Sequence, residues 1–111
     1  MKFYHGTSHI AWENIKAEGV LFGIKHMERR CTFLALDRKF AEIFGPVILE
    51  VEYSPYDECG NIKLDENGNP VNDYDPSRWE GKRMSYRFFK VFEPIDIRNV
   101  KRVDDNLCLE I

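Results

Sequence analysis

Phe3-Tyr4-His5-Gly6-Thr7-Ser8 is the stretch on which the reading of this chain turns. Lys2 to His5 reads as a short strand, and Gly6-Thr7-Ser8 as a turn whose Thr7 or Ser8 can accept from the free N–H groups of a following helix. From Ala11 to Glu18, with Ile10 just upstream, the apolar Ile10, Ala11, Trp12 and Ile15 recur at spacings of three to five, and Gly19 supplies a stop. A glycine beside a strand-end histidine, followed by hydroxyls that open a helix, lets a planar ligand approach the backbone closely. The same pattern also suits an ordinary helix cap next to a half-buried histidine.

Working outward, Leu21 to Arg30 is mixed, interrupted by Gly23, and carries Lys25, His26, Arg29 and Arg30, which reads as a loop along the edge of a site. Cys31 to Ala35 is a short apolar strand. Asp37 caps a second helix, Arg38 to Phe44, with Phe40, Ala41, Ile43 and Phe44 on its apolar face, and Gly45-Pro46 ends it. In Val47 to Tyr53 the odd positions are apolar, while Ile48, Glu50 and Glu52 turn polar, as in a strand with one buried face. Residues 54–80 form a long polar loop in which Ile62 to Leu64 and Val71 can pair as a small hairpin. Its section Tyr56 to Trp79 holds six acids against two bases, a net of −4. Lys82 to Phe92 reads as a strand, Ile95 to Val103 as short extended pieces around a turn, and Leu107 to Ile111 as a last strand. Gly81 to Arg102 holds seven bases against two acids, a net of +5.

The chain has 111 residues, 43% hydrophobic and 32% charged, with a formal net charge of −3. That length is read as one domain, 1–111, large enough for its own core. No apolar run nears the ~20 residues of a membrane-spanning helix. Met1 to His9 lacks a signal peptide's apolar stretch, so a cytoplasmic protein without membrane contact is expected. Cys31, Cys59 and Cys108 are odd in number and form no Cys-x-x-Cys pair, which suits a reducing compartment. The isoelectric point near 5.6 speaks against a generic nucleic-acid binder.

Familiar chemistries are absent: there is no Gly-x-Gly-x-x-Gly, Walker loop or nucleophile elbow. No metal is expected. His5 and His9 lack the intervening glutamate and a third ligand, and Asp65-x-Asn67-x-Asn69 has Pro70 where a calcium loop needs glycine. Cys31, beside Arg29 and Arg30, is either an activated thiol or a buried strand cysteine.

Tyr4-His5-Gly6-Thr7, Ile15 to Val20, Cys31-Thr32-Phe33-Leu34-Ala35, the helix with Ala41 and Phe44, and the strand Val47 to Tyr53 together resemble, in order, the ADP-ribosyltransferase superfamily. The likeness is to its diphtheria-toxin and poly(ADP-ribose)-polymerase branch, and it covers about the first half of the chain. It implies an α+β fold, a split, mostly antiparallel sheet with two short helices, and NAD as the substrate. It further implies that the Gly6 backbone holds the nicotinamide amide, with Thr7 adding a hydroxyl. His5 would bond the ribose hydroxyls on the adenosine side. Phe33 takes the place of a stacking tyrosine and keeps the face that stacking needs.

The family also places a glutamate on a late strand, near the ribose, to stabilise the oxocarbenium-like transition state. Met84 to Phe92 contains no acid. Spacing back from Pro94-Ile95 puts the expected position near Phe88, and matching the stretch around Tyr86 puts it at Ser85. Glu80 and Glu93, flanking the strand, are the fallback candidates. Glu50-Val51-Glu52 superficially matches the Glu-x-Glu of the arginine-specific branch, but it lies on the strand after the second helix, with no Ser-Thr-Ser before it.

The resemblance therefore implies a mono-ADP-ribosyltransferase acting on a host protein or nucleic acid, like small stand-alone bacterial or phage effectors. Two alternatives share the fold: a catalytically degraded module that binds NAD or blocks a partner, and an RNA 2′-phosphotransferase-like enzyme.

Overall fold

In the computed structural model, β1 (Lys2–Thr7) is the central strand of a five-stranded antiparallel sheet. The structure describes residues 1–23, 25–26, 29–81 and 87–104, with only the backbone described at 25 and 26. The remaining elements are α1 (His9–Glu18), β2 (Val20–Leu21), β3 (Lys25–His26), β4 (Arg29–Arg30), β5 (Thr32–Ala35), α2 (Arg38–Ala41), β6 (Val47–Glu52), β7 (Phe88–Val91), β8 (Ile95–Asp96) and β9 (Val100–Arg102). The main sheet runs β7-β5-β1-β6-β9, while β2 pairs with β8 and β3 with β4. Among the described residues this is a small α+β domain with a mostly antiparallel sheet and two α-helices.

Period-two alternation gives each strand two different faces. Phe3, Leu34, Leu49, Val51, Phe89 and Val91 pack with Trp12 and Ile15 of α1 and with Leu21, Trp79 and Ile95 into the larger core. On the other face Ala35 and Ile48, with Tyr4 and Phe88 beside them, meet Phe40 and Ala41 of α2. In β6, Val47, Ile48 and Leu49 are all buried, whereas Glu50 is half-buried and Glu52 exposed, the polar turn that the alternation predicts.

Several expectations change. β1 runs on through Gly6 and Thr7, which the sequence reads as a turn. The Leu21 to Arg30 stretch, read as a loop, holds Leu21 of β2 and the antiparallel pair β3–β4. The second helix keeps its α form only to Ala41 and tightens to a 3₁₀ turn over Glu42–Phe44. The strand expected from Lys82 is seen as Phe88–Val91; residues 82–86 and the strand expected at Leu107 to Ile111 lie outside the described residues.

The long polar segment after Tyr53 is built from two like turns, Asp57-Glu58-Cys59-Gly60-Asn61 and Asp65-Glu66-Asn67-Gly68-Asn69. In each, the aspartate Oδ1 accepts from the backbone N–H two and four residues on, at 2.8 and 3.0 Å from Asp57 and at 2.9 and 2.9 Å from Asp65. Gly60 and Gly68 take the left-handed conformation, at φ 84 and 82°. The hairpin forms as expected, with Leu64 bridged to Pro70. Beyond it the chain runs beside the outer edge of β7: Asn72 is bridged to Val91, and Asp73 N–H donates to the Lys90 carbonyl at 3.1 Å.

Candidate functional site

β1 hands over to α1 within two residues of His5-Gly6. Ser8 is the N-cap, its Oγ accepting from Ala11 N–H at 3.1 Å, and Gly19 ends the helix in the left-handed conformation. This short junction sets the α1 face of Ala11, Asn14, Ile15 and Glu18, spaced at three, four and seven residues, along a cavity of about 840 Å³. His5, Gly6 and Thr7 of β1 and Phe33 of β5 line the same cavity.

The cavity follows the seam between β1 and β5. On its other edge β1 pairs with β6 through six residues, Lys2 to Thr7, but with β5 the register pair is Tyr4 with Ala35. Farther along, the His5 side chain bridges the seam, its Nδ1 lying 2.9 Å from the Phe33 carbonyl oxygen. A carbonyl only accepts, so Nδ1 carries the proton and Nε2 of the neutral ring is an acceptor. Burial holds the His5 pKa below the usual histidine value, against the opposing pull of the Phe33 bond.

Gly6 is buried, and a Cβ there would overlap the carbonyl oxygen of Ala41. The glycine therefore lets α2 dock on β1, while its backbone borders the cavity. Around it the wall is aromatic: Phe33 and Phe88 have ring centroids 5.7 Å apart, Phe88 stacks on Phe40 at 5.5 Å, and Phe40 meets Phe44 edge-on at 5.3 Å. Elsewhere on the wall Arg30 donates from Nε to the Gly23 carbonyl at 2.7 Å and from Nη2 to the Phe22 carbonyl at 3.0 Å. Its guanidinium lies 4.7 Å from the Phe22 ring centroid, and Glu18 Oε1 is 3.7 Å from Nη2. Gly23 is in turn held by its N–H to Thr32 Oγ1 at 2.7 Å. Among the described lining residues, Glu18 and Arg30 are the charged pair.

The fallback acids stand elsewhere. Glu80 is exposed at the end of the 3₁₀ turn Pro76–Trp79, and neither it nor Glu93 lines the cavity. Glu93 accepts from the Tyr53 hydroxyl at 2.7 Å, and Asn72 donates to the same hydroxyl at 3.2 Å. Burial first, and then Glu93, raises the Tyr53 phenol pKa. Ser85 lies outside the described residues. Phe88, at the position reached by spacing back from Pro94-Ile95, lines the cavity.

Cys31 is 1% exposed, and burial pushes its thiol pKa up, so it is a buried cysteine rather than an activated thiol, and it sits just before β5 rather than in the strand expected from Cys31 to Ala35. Among the described residues no group of three His, Cys, Asp or Glu side chains is placed to hold a metal ion. No helix among them is long and apolar enough to cross a membrane. Sequence reading missed Glu18, although its spacing from Ala11 and Ile15 is the helical signal that would have found it. It also missed the joint contribution of Phe40, Phe44 and Phe88, which comes from separate elements.

Comparison with protein-family models, curated proteins and solved structures gives no match.

Proposed function

We propose that the cleft binds NAD as a substrate, with the nicotinamide ring against Phe33, and that the chain transfers one ADP-ribose unit to a protein or nucleic acid. The observation that carries this reading is the convergence of His5, Gly6, Thr7 and Phe33, from two strands far apart in sequence, on one cavity. Gly6 offers backbone polar groups for the nicotinamide amide, and Thr7 offers a hydroxyl. His5, neutral and anchored through Nδ1, offers Nε2 to a ribose hydroxyl. The aromatic wall keeps water from the glycosidic bond and strengthens electrostatic interactions there.

A second reading, binding without turnover, is favoured by Phe88. An apolar ring borders the cleft at one of the two positions, Phe88 and Ser85, where the family resemblance calls for a carboxylate, and Glu93 is occupied with Tyr53.

One experiment separates the two. Pure protein is incubated with NAD and a cell lysate, and nicotinamide release and mass shifts on proteins and nucleic acids are followed, with Phe33→Ala as the control. Transfer adds one ADP-ribose, about 541 Da by the reaction's stoichiometry, and requires Phe33. Stabilisation of the fold by NAD without release supports the binding module. Absence of both effects rejects the NAD reading. Gly6 is unsuitable as the control, because its substitution disturbs α2 before it disturbs a ligand.

A further inference from the structure

Resting on the NAD reading, we infer that Arg30 receives the pyrophosphate of the dinucleotide and that Glu18 is the anion the pyrophosphate displaces. Arg30 is the one cationic side chain among the described residues that line the cleft. A pyrophosphate diester brings two negative charges into a cavity that is otherwise largely aromatic and apolar. Those charges are best met by this cation, which stays about half exposed to solvent where it borders the cleft.

The guanidinium is held ready for this contact. Two of its five N–H groups are committed to the Phe22 and Gly23 carbonyls, and its Cζ lies 4.7 Å from the Phe22 ring centroid. Three N–H groups remain, in the fixed fork that matches phosphate oxygens. The segment it grips is itself fixed, since Gly23 donates to buried Thr32 and a Cβ at Gly23 would overlap the Cys31 carbonyl. Little side-chain freedom is left to lose when an anion arrives.

Glu18 faces the same group without bonding it. Its Oε1 lies 3.7 Å from Arg30 Nη2, past hydrogen-bond reach, and the two side chains are 53% and 47% exposed. An ion pair this exposed is weak, so an incoming phosphate can replace the carboxylate. Two neighbouring charges thereby acquire opposite roles: Arg30 attracts the ligand, and Glu18 competes with it.

Calorimetric titration of the full chain with NAD, ADP-ribose and nicotinamide tests this. Arg30→Gln is expected to weaken NAD and ADP-ribose by about ten- to a hundredfold, the usual size of a charge-assisted contact. Nicotinamide binding stays as in the wild type, which also shows that the variant is folded. Arg30→Lys restores only part of the loss, since a point charge replaces the fork. Glu18→Gln is expected to tighten ADP-ribose by about two- to fivefold. Unchanged ADP-ribose affinity in Arg30→Gln overturns the inference while leaving the NAD reading intact, and weaker binding in Glu18→Gln does the same. If the wild type binds neither NAD nor nicotinamide, both fail together.

Discussion

The two edges of β1 are built to different ends. Toward β6 the strand is paired through all six of its residues, and toward β5 its register pair is Tyr4 with Ala35. The first edge seals the larger core, where Phe3, Leu49 and Val51 are nearly inaccessible. Along the second, a side chain rather than a ladder of backbone bonds reaches across, and a cavity follows. A backbone ladder closes a sheet and leaves no room for a ligand; where it lapses, polar backbone and aromatic faces become available, at a cost in cooperativity that packing elsewhere must offset.

Breaking the closed side is expected to have the largest effect. Leu49 of β6, in register with His5 and fully buried, belongs to the larger core. Leu49→Ala is expected to lower unfolding free energy by about 2–5 kcal/mol in urea denaturation. Phe33→Ala, on the half-buried open side, is expected to cost under about 1.5 kcal/mol while weakening NAD roughly tenfold. Equal stability losses in the two variants would erase the contrast between the edges.

Gly6→Ala joins the two sides. The added methyl meets the Ala41 carbonyl, which belongs to backbone and cannot rotate away, so a loss of about 3 kcal/mol is expected. A melting temperature close to the wild type would show that α2 is free to shift.

The smallest effect is a pH dependence. The lowered pKa of His5 means that the unfolded chain takes up a proton before the folded one does. Its contribution to stability is full above about pH 6.5, the free histidine value, and falls as the pH drops toward the lowered native value. His5→Asn should flatten that slope in melting curves between pH 7 and 5.5. An identical slope in both proteins would remove the imidazole from the seam's energetics.

Local signals carried much of this structure. Ser8 and Gly19 bracket α1 as a cap and a left-handed stop should, and the alternation of β6 is plain from Val47 onward. His5, Gly6, Thr7 and Phe33 were legible as one site only through the family resemblance, because nothing local brings β1 beside β5. The register of Leu34 with Phe89 is likewise a long-range matter, so the place of Phe88 on the cleft wall was legible only by spacing back from Pro94-Ile95 under the resemblance. Arg30 read simply as one of several bases in a mixed stretch. Its grip on Phe22 and Gly23 depends on strand pairing that short segments do not announce.

The segment between Tyr53 and Trp79 looks dispensable to anyone trimming this protein to a minimal unit. Yet Val71 and Asn72 are buried, and Asn72 and Asp73 sit against β7. Excision would strip that strand of its neighbour and bare a row of backbone donors and acceptors beside Phe89 and Val91. A shortened version would then be prone to self-association through the exposed edge. The strip 71–73 is thus also a guard on solubility, and a tag or fusion is better grafted at Gly60 or Gly68, where a side chain would meet open space, than gained by excising the segment.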